Sequence, residues 1–264
     1  MIDLHSHVLP GIDDGPADLA GSIAMAQVAA DGGTRWLVAT PHLREDYPAV
    51  RPEELRARVA DLNAALHRRG VELEVLSGAE IDLSAALELS DADLRAASLG
   101  GGGRDLLIES PYGPLPPMFE SLLATVTARG FRVTLAHPEH NPSFREEPER
   151  LASLVASGVL VQVTSGSLRG GRRSGSRRLA LIAIETGWAH VLASDAHSSD
   201  WRPPTLAADV RELEREEPGL AARLRWMTDD APRAILAGGA LPPAPRVRSN
   251  RRRRLLGRLS GHAR

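Results

Sequence analysis

Histidines and carboxylates recur along this chain in positions suited to holding divalent metal ions. His5 and His7 stand one residue apart near its start. On a strand, alternate side chains share a face, so a strand from Ile2 running into His5-Ser6-His7 would aim both imidazoles the same way. Further on come His42 behind Pro41, Glu80 behind Gly78-Ala79 and Glu109 before Ser110-Pro111. His137 opens His137-Pro138-Glu139-His140, and Asp195 and His197 flank Ala196. Imidazole nitrogens mixed with carboxylate oxygens suit Mn²⁺, Zn²⁺ or Fe²⁺ better than Ca²⁺ or Cu⁺. These groups exceed what one ion needs, so two or three ions sharing a bridging carboxylate fit them better. The chain has no cysteine, which excludes disulfides, thiolate zinc sites and a cysteine-based phosphatase. Each residue also has an ordinary alternative: His42 closing a turn, Glu80 and Glu109 meeting arginines in loops, Asp195 capping a turn.

The elements that must position these groups are legible as alternating strands and helices. A helix with Leu19, Ile23, Ala26 and Ala30 on one face stops at Gly32-Gly33, and a strand follows over 35–40. Leu55, Val59, Leu62 and Leu66 mark a second helix between Pro52 and Gly70, followed by a strand over 73–76. An irregular stretch from Ile81 to Leu99 and a glycine run at 100–103, read as a loop, lead to a strand over 106–108. Helices over 117–129, 148–157 and 176–186 then alternate with strands over 131–136, 159–163 and 189–193. Short apolar strands joined by glycine-terminated helices predict a parallel sheet covered on both faces, in this number a closed or nearly closed barrel; a doubly wound open sheet is the alternative. His5 with His7, His42, Glu80, Glu109, His137, and Asp195 with His197 all fall at or within a few residues of carboxyl strand ends. A parallel barrel gathers those ends on one face.

The chain has 264 residues, 42% hydrophobic and 25% charged, as expected of a soluble globular domain, and a net charge of −2. No apolar run approaches the roughly 20 residues that cross a bilayer, which predicts a cytoplasmic protein. Helical patterns over 205–217 and 219–238 precede Leu241-Pro242-Pro243-Ala244-Pro245, which predicts a domain over 1–240 and a flexible tail over 241–264. That tail holds Arg246, Arg248, Arg251 to Arg254, Arg258 and Arg264 and no acid. Such a tail suits tethering to an anionic membrane surface or plain solvation, and without aromatic residues for base stacking no specific nucleic-acid partner is expected.

His5-Ser6-His7, Pro41-His42, Gly78-Ala79-Glu80, His137-Pro138-Glu139 and Ser194-Asp195-Ala196-His197, in this order, resemble the polymerase and histidinol phosphatase (PHP) superfamily. The opening Met1 to Gly15 is similar to its bacterial metal-dependent protein-tyrosine phosphatases of capsule and exopolysaccharide operons, the CpsB/YwqE type. The resemblance covers roughly residues 1 to 240. It implies a distorted TIM-like barrel of about seven parallel strands and a manganese-preferring site of three ions, with Mg²⁺ also possible. By position, one ion would be held by His5, His7, Glu80 and Asp195, a second by Glu80, Glu109 and His137, and a third by Asp14, His42 and His197. Catalytic roles fall to His140, Glu109 and Asp195, and the implied substrate is phosphotyrosine on the C-terminal tail of a tyrosine autokinase. Two departures stand out. His140 occupies the place of an arginine that contacts phosphate in relatives, where it could donate a hydrogen bond or protonate the leaving group. Leu43 replaces a second histidine, with Arg44 nearby as a substitute charge. Segment 162–171 resembles the family's loop near the site. Histidinol-phosphate, sugar-phosphate and nucleic-acid phosphoesters are the alternative substrates.

Overall fold

Strands with both faces covered bury every side chain, and the ones at Ile2–Ser6, Asp105–Glu109 and Leu160–Thr164 do so. The computed structural model describes residues 1–171 and 173–247. It runs β1 (Ile2–Ser6), α1 (Leu19–Gly32), β2 (Trp36–Ala39), β3 (His42–Leu43), α2 (Leu55–Arg68), β4 (Glu74–Ser77) and β5 (Glu80–Asp82). Helices α3 (Leu83–Glu88) and α4 (Asp91–Ala96) lead to β6 (Asp105–Glu109), α5 (Phe119–Ala128) and β7 (Arg132–Leu135). Next come α6 (Pro142–Glu146), α7 (Pro148–Ala156), β8 (Leu160–Thr164), α8 (Gly175–Thr186) and β9 (Val191–Ala193). Helices α9 (Leu206–Glu216) and α10 (Ala221–Arg225), a π-helical turn at Trp226–Asp230 and α11 (Ala231–Leu236) follow.

All strand pairs are parallel. They form one sheet in the order β1-β2-β4 and another in the order β3-β5-β6-β7-β8-β9. The two sheets are one ring. Strands β2 and β3 are halves of a single course bent at Thr40-Pro41, and β4 and β5 are halves of another bent at Gly78-Ala79. Pro41 cannot donate to a ladder, and a Cβ on Gly78 would stand 2.9 Å from Val38 Cγ1, so these residues suit a bend where two courses press together. The ring closes between β1 and the end of β9 through a parallel Ser6–Ala196 bridge, with Asp195 N donating to His5 O at 3.0 Å and His7 N to Ala196 O at 2.8 Å. This is a distorted seven-course barrel, not the open doubly wound alternative.

Hydrophobic residues sort by strand face. Leu37, Leu106, Ile108, Val161 and Leu192 belong to a large cluster shared with helix residues such as Met25, Leu62, Phe119 and Ile184, while Val38, Leu107, Leu160 and Val191 belong to a smaller one with Ile2, Leu4, Leu99 and Ile235. The alternation puts the first cluster between barrel and helices and the second inside the barrel. Glu109 therefore extends the inner face that Leu107 begins. Leu241 and Val247 pack against the large cluster, and Trp226 Nε1 donates to Pro242 O at 3.2 Å, so residues 241–247 continue along the domain. The remaining arginines of the tail, from Arg248 onward, lie outside the described residues. Among the described residues, no helix is long and apolar enough to cross a membrane.

Candidate metal centre

Nine side chains meet at the carboxyl mouth of the barrel: His5 and His7 from the end of β1, Asp14 from the loop after it, His42 from β3, Glu80 from β5, Glu109 from β6, His137 after β7, and Asp195 and His197 after β9. All but Asp14 are buried. His5 Nε2 lies 3.3 Å from His7 Nε2, 3.2 Å from Glu80 Oε2 and 3.4 Å from Asp195 Oδ1, and His7 Nε2 lies 3.4 and 3.5 Å from the same two oxygens. His137 Nε2 is 2.7 Å from Glu80 Oε1 and 3.8 Å from Glu109 Oε1. Asp14 Oδ1 sits 3.3 Å from His197 Nε2, 3.6 Å from His42 Nε2 and 3.8 Å from His7 Nδ1. His42 Nδ1 faces Glu80 Oε2 at 3.0 Å and Glu109 Oε2 at 3.7 Å, so it borders two of the three groupings that the family resemblance separates.

The donor chemistry fits divalent ions. Glu80 Oε2 and His42 Nδ1 are buried without a hydrogen bond, and Glu80 Oε2 faces nitrogens of three imidazoles. Lone pairs converging in a dry site require cations between them, either protons or metals. Without metal, protons serve. Burial opposes charge on His137, yet the Glu80 carboxylate prevails and holds its pKa up at about 10. Burial likewise opposes ionisation of Glu80, and the charges of His5 and His137 hold it well below the usual range. Burial and the Glu80 charge together raise Glu109. Against burial, hydrogen bonding to His197 depresses Asp14 to about 2. The backbone is also held in unusual conformations here: His137 and Asp195 are the non-glycine residues with positive φ among those described, at 29° and 52°. His137 N donates to Gln162 Oε1 at 3.2 Å, and the Asp195 backbone is pinned by its bond to His5 O.

A surrounding set of residues orients these donors, and sequence reasoning passed over most of it. Asp13 Oδ2 lies 2.8 Å from His7 Nδ1 and accepts from His42 N at 3.1 Å. Gln162 Oε1 lies 3.0 Å from His5 Nδ1. Asp3 accepts from Ser194 N, and burial raises its pKa to about 6. Arg202 Nη2 donates to Asp195 Oδ2 at 2.6 Å, and its Nη1 lies 3.2 Å from His197 Nε2. Arg44 Nη1 stands 3.7 Å from Glu109 Oε2, and Tyr47 stacks on His42 at 5.4 Å. A carboxylate next to a histidine dyad was the one available signal for Asp13; Gln162 and Arg202 carried none. His140 Nε2 lies 2.8 Å from Ser167 Oγ, which donates to Glu139 Oε1 at 2.9 Å. Burial pushes the His140 pKa down from its usual value. The Ser167 contacts place that residue of the 162–171 loop beside the site.

The sequence and fold have known counterparts. The family model for capsular polysaccharide synthesis, CpsB/CapC, matches residues 1–230. The chain belongs to the CpsB/CapC family. Within it, the tyrosine-protein phosphatase YwqE of Bacillus subtilis is 34% identical over 260 residues, 97% of this chain and 99% of YwqE. The tyrosine-protein phosphatase CpsB of Streptococcus agalactiae serotype III is 26% identical, covering 82% and 90% of the two chains. A chain from the crystal structures of YwqE from Bacillus subtilis and CpsB from Streptococcus pneumoniae, described as unique metal-dependent tyrosine phosphatases, superimposes with a TM-score of 0.82 at 33% identity, over 94% of this chain and 100% of that one. A Listeria monocytogenes lactonase shares the fold at TM-score 0.55 and 11% identity.

Proposed function

We propose that this CpsB/CapC protein is a metal-dependent protein-tyrosine phosphatase hydrolysing phosphotyrosine monoesters. The observation that carries the reading is Glu80 Oε2, a buried carboxylate oxygen with no hydrogen bond among three imidazoles at a barrel mouth. His5, His7, Glu80 and Asp195 would hold one ion, Glu80, Glu109 and His137 a second, and Asp14, His42 and His197 a third, with Glu80 as bridge. Manganese is the proposed metal, since nitrogen and oxygen donors suit it. Bound ions would supply positive charge for phosphate oxygens and acidify a water into a nucleophile. The chain's own contribution is to fix that charge in place and to exclude bulk water, because eight of the nine donors are buried. Arg44 and Arg202, each close to a cluster carboxylate, add counter-charge at the rim for the phosphate dianion. Glu109 and Asp195 would act through the ions they would hold. The proposed substrate protein is a tyrosine autokinase with a phosphorylated C-terminal tail, which the capsule-synthesis family and the naming of its relatives support. Membrane tethering through the arginine tail is proposed separately, from its charge alone.

Purified protein loaded with Mn²⁺ is expected to release phosphate from a phosphotyrosine peptide faster than from histidinol phosphate or an oligonucleotide. His5→Ala combined with His7→Ala should lower metal stoichiometry and abolish turnover while circular dichroism keeps the barrel's signature. Full metal content with lost turnover would mean the donors are misassigned, and preference for either other substrate would overturn the reading.

A further inference from the structure

Beside the metal centre the mouth of the barrel carries a cavity of about 140 Å³ lined by Ser110, Pro111, Tyr112, His137, His140 and Asn141. One lining residue, His137, is a member of the cluster. Two others, Tyr112 and His140, carry flat rings, and each is held by further contacts. Behind Tyr112, the Arg44 guanidinium carbon sits 5.1 Å from the ring centroid, while Arg44 itself is anchored toward Glu109 and Asp46. His140 is held by Ser167 on one side and stacks on His137 with centroids 5.3 Å apart and planes inclined by 21°. Asn141 joins the two walls: its Nδ2 donates to Pro111 O at 2.7 Å and to Gly113 O at 3.0 Å, tying the loop that carries Tyr112 to the turn that carries His140. The whole Tyr112 residue is nonetheless 67% exposed, which leaves a large apolar surface at the mouth uncovered.

A cavity lined by two aromatic rings and by a member of the cluster that would take phosphate matches an aromatic phosphate monoester better than an aliphatic one. We infer that Tyr112 and His140 form the subsite for the substrate's aromatic ring, with Arg44 as the positioning residue for Tyr112. The inference rests on the phosphotyrosine reading and names the residues that would make it selective. Tyr112 supplies one stacking face, and His140 supplies a second ring that lines the same cavity. The bond broken is the P–O bond to the phenol; a water adds to phosphorus and the phenolate leaves into this slot and takes up a proton.

The test uses the full chain loaded with Mn²⁺ and measures kcat and KM on matched phosphotyrosine and phosphoserine peptides. Calorimetric binding of phenylphosphonate and methylphosphonate is measured in parallel. Tyr112→Ala should reduce the phosphotyrosine-to-phosphoserine ratio of kcat/KM about tenfold, mainly through KM, and should weaken phenylphosphonate relative to methylphosphonate by a similar factor, whereas Tyr112→Phe keeps both ratios. His140→Ala should reduce the same ratios, and Arg44→Met should do so to a smaller extent. Because Tyr112 is largely exposed, the alanine variant is expected to melt within a degree or two of the parent. Unchanged ratios in Tyr112→Ala, or equal losses on both peptides and both phosphonates, would overturn the slot. A parent protein that ignores phosphotyrosine yet loses phenylphosphonate selectivity on Tyr112→Ala would instead sink the phosphatase reading and keep the slot.

Discussion

Asp13 shows how one side chain outside the donor set controls the set. Its Oδ2 contacts His7 Nδ1 at 2.8 Å and takes the His42 backbone N–H, while Oδ1 takes Gly15 N at 3.1 Å. Engaging Nδ1 leaves His7 Nε2 free to point at Glu80 and Asp195, and a carboxylate behind an imidazole raises its strength as a ligand. Burial opposes ionisation of Asp13, but the hydrogen bond and charge of His7 hold its pKa below the usual value. Asp13→Ala is therefore expected to weaken metal binding roughly 10- to 100-fold, read by competition with a chromophoric chelator, without moving any proposed ligand out of the sequence. An affinity within twofold of the parent would show that His7 is oriented by packing alone. Asp13 and Asp14 are adjacent and chemically alike, so their division of labour was invisible in the sequence; only the direction of the loop distinguishes them.

That loop is an element in its own right, and Gly15 sets its path. A Cβ on Gly15 would stand 2.0 Å from His7 O, a backbone atom that no rotamer change can move aside. Gly15→Ala must displace the loop carrying Asp13 and Asp14, at a cost on the order of 1–3 kcal/mol for overpacking. The prediction is a melting temperature lowered by several degrees together with loss of one equivalent of bound metal, measured by calorimetry and elemental analysis; a variant that keeps its full metal content would show the loop can shift without releasing Asp14. The larger elements were easier to foresee. Apolar runs such as Leu106-Leu107-Ile108 and Trp36-Leu37-Val38-Ala39 have no other place than a doubly covered strand, and glycines at 33, 70, 130, 158 and 187 adopt positive φ at or just beyond the helix ends where the pattern put them. Strands β3 and β5 were hidden, because two or three residues after Pro41 or Gly78-Ala79 carry no period of their own and are defined by their neighbours across the ring. Contacts such as His5 with Gln162, 157 residues apart, belong to closure of the barrel and cannot be read from local pattern.

At the scale of the whole molecule, the charge collected at the barrel mouth makes stability depend on what occupies it. In the metal-free protein His5, His7 and His137 have raised pKa values, His137 up to about 10, because buried carboxylates hold their protons. A group whose folded pKa exceeds its unfolded value of about 6.5 stabilises the fold fully below that value. The contribution then declines as pH climbs toward the folded pKa, since the unfolded chain has already released its proton and the folded one has not. For His137 alone the decline between pH 6.5 and 9 amounts to about 3 kcal/mol, or several degrees in melting temperature for a chain of this size. Metal ions take the place of those protons, because only the deprotonated imidazole is a ligand. The chelator-stripped protein should therefore lose several degrees of melting temperature from pH 6.5 to 9, while the Mn²⁺-loaded protein loses little, so that the gap between the two curves widens with pH. Residues far from the mouth titrate alike in both samples and cancel from the gap. Parallel melting curves across this range would mean that the mouth's imidazoles are not held protonated by Glu80, Glu109 and Asp195, and that the same side chains are not the ones the ions replace.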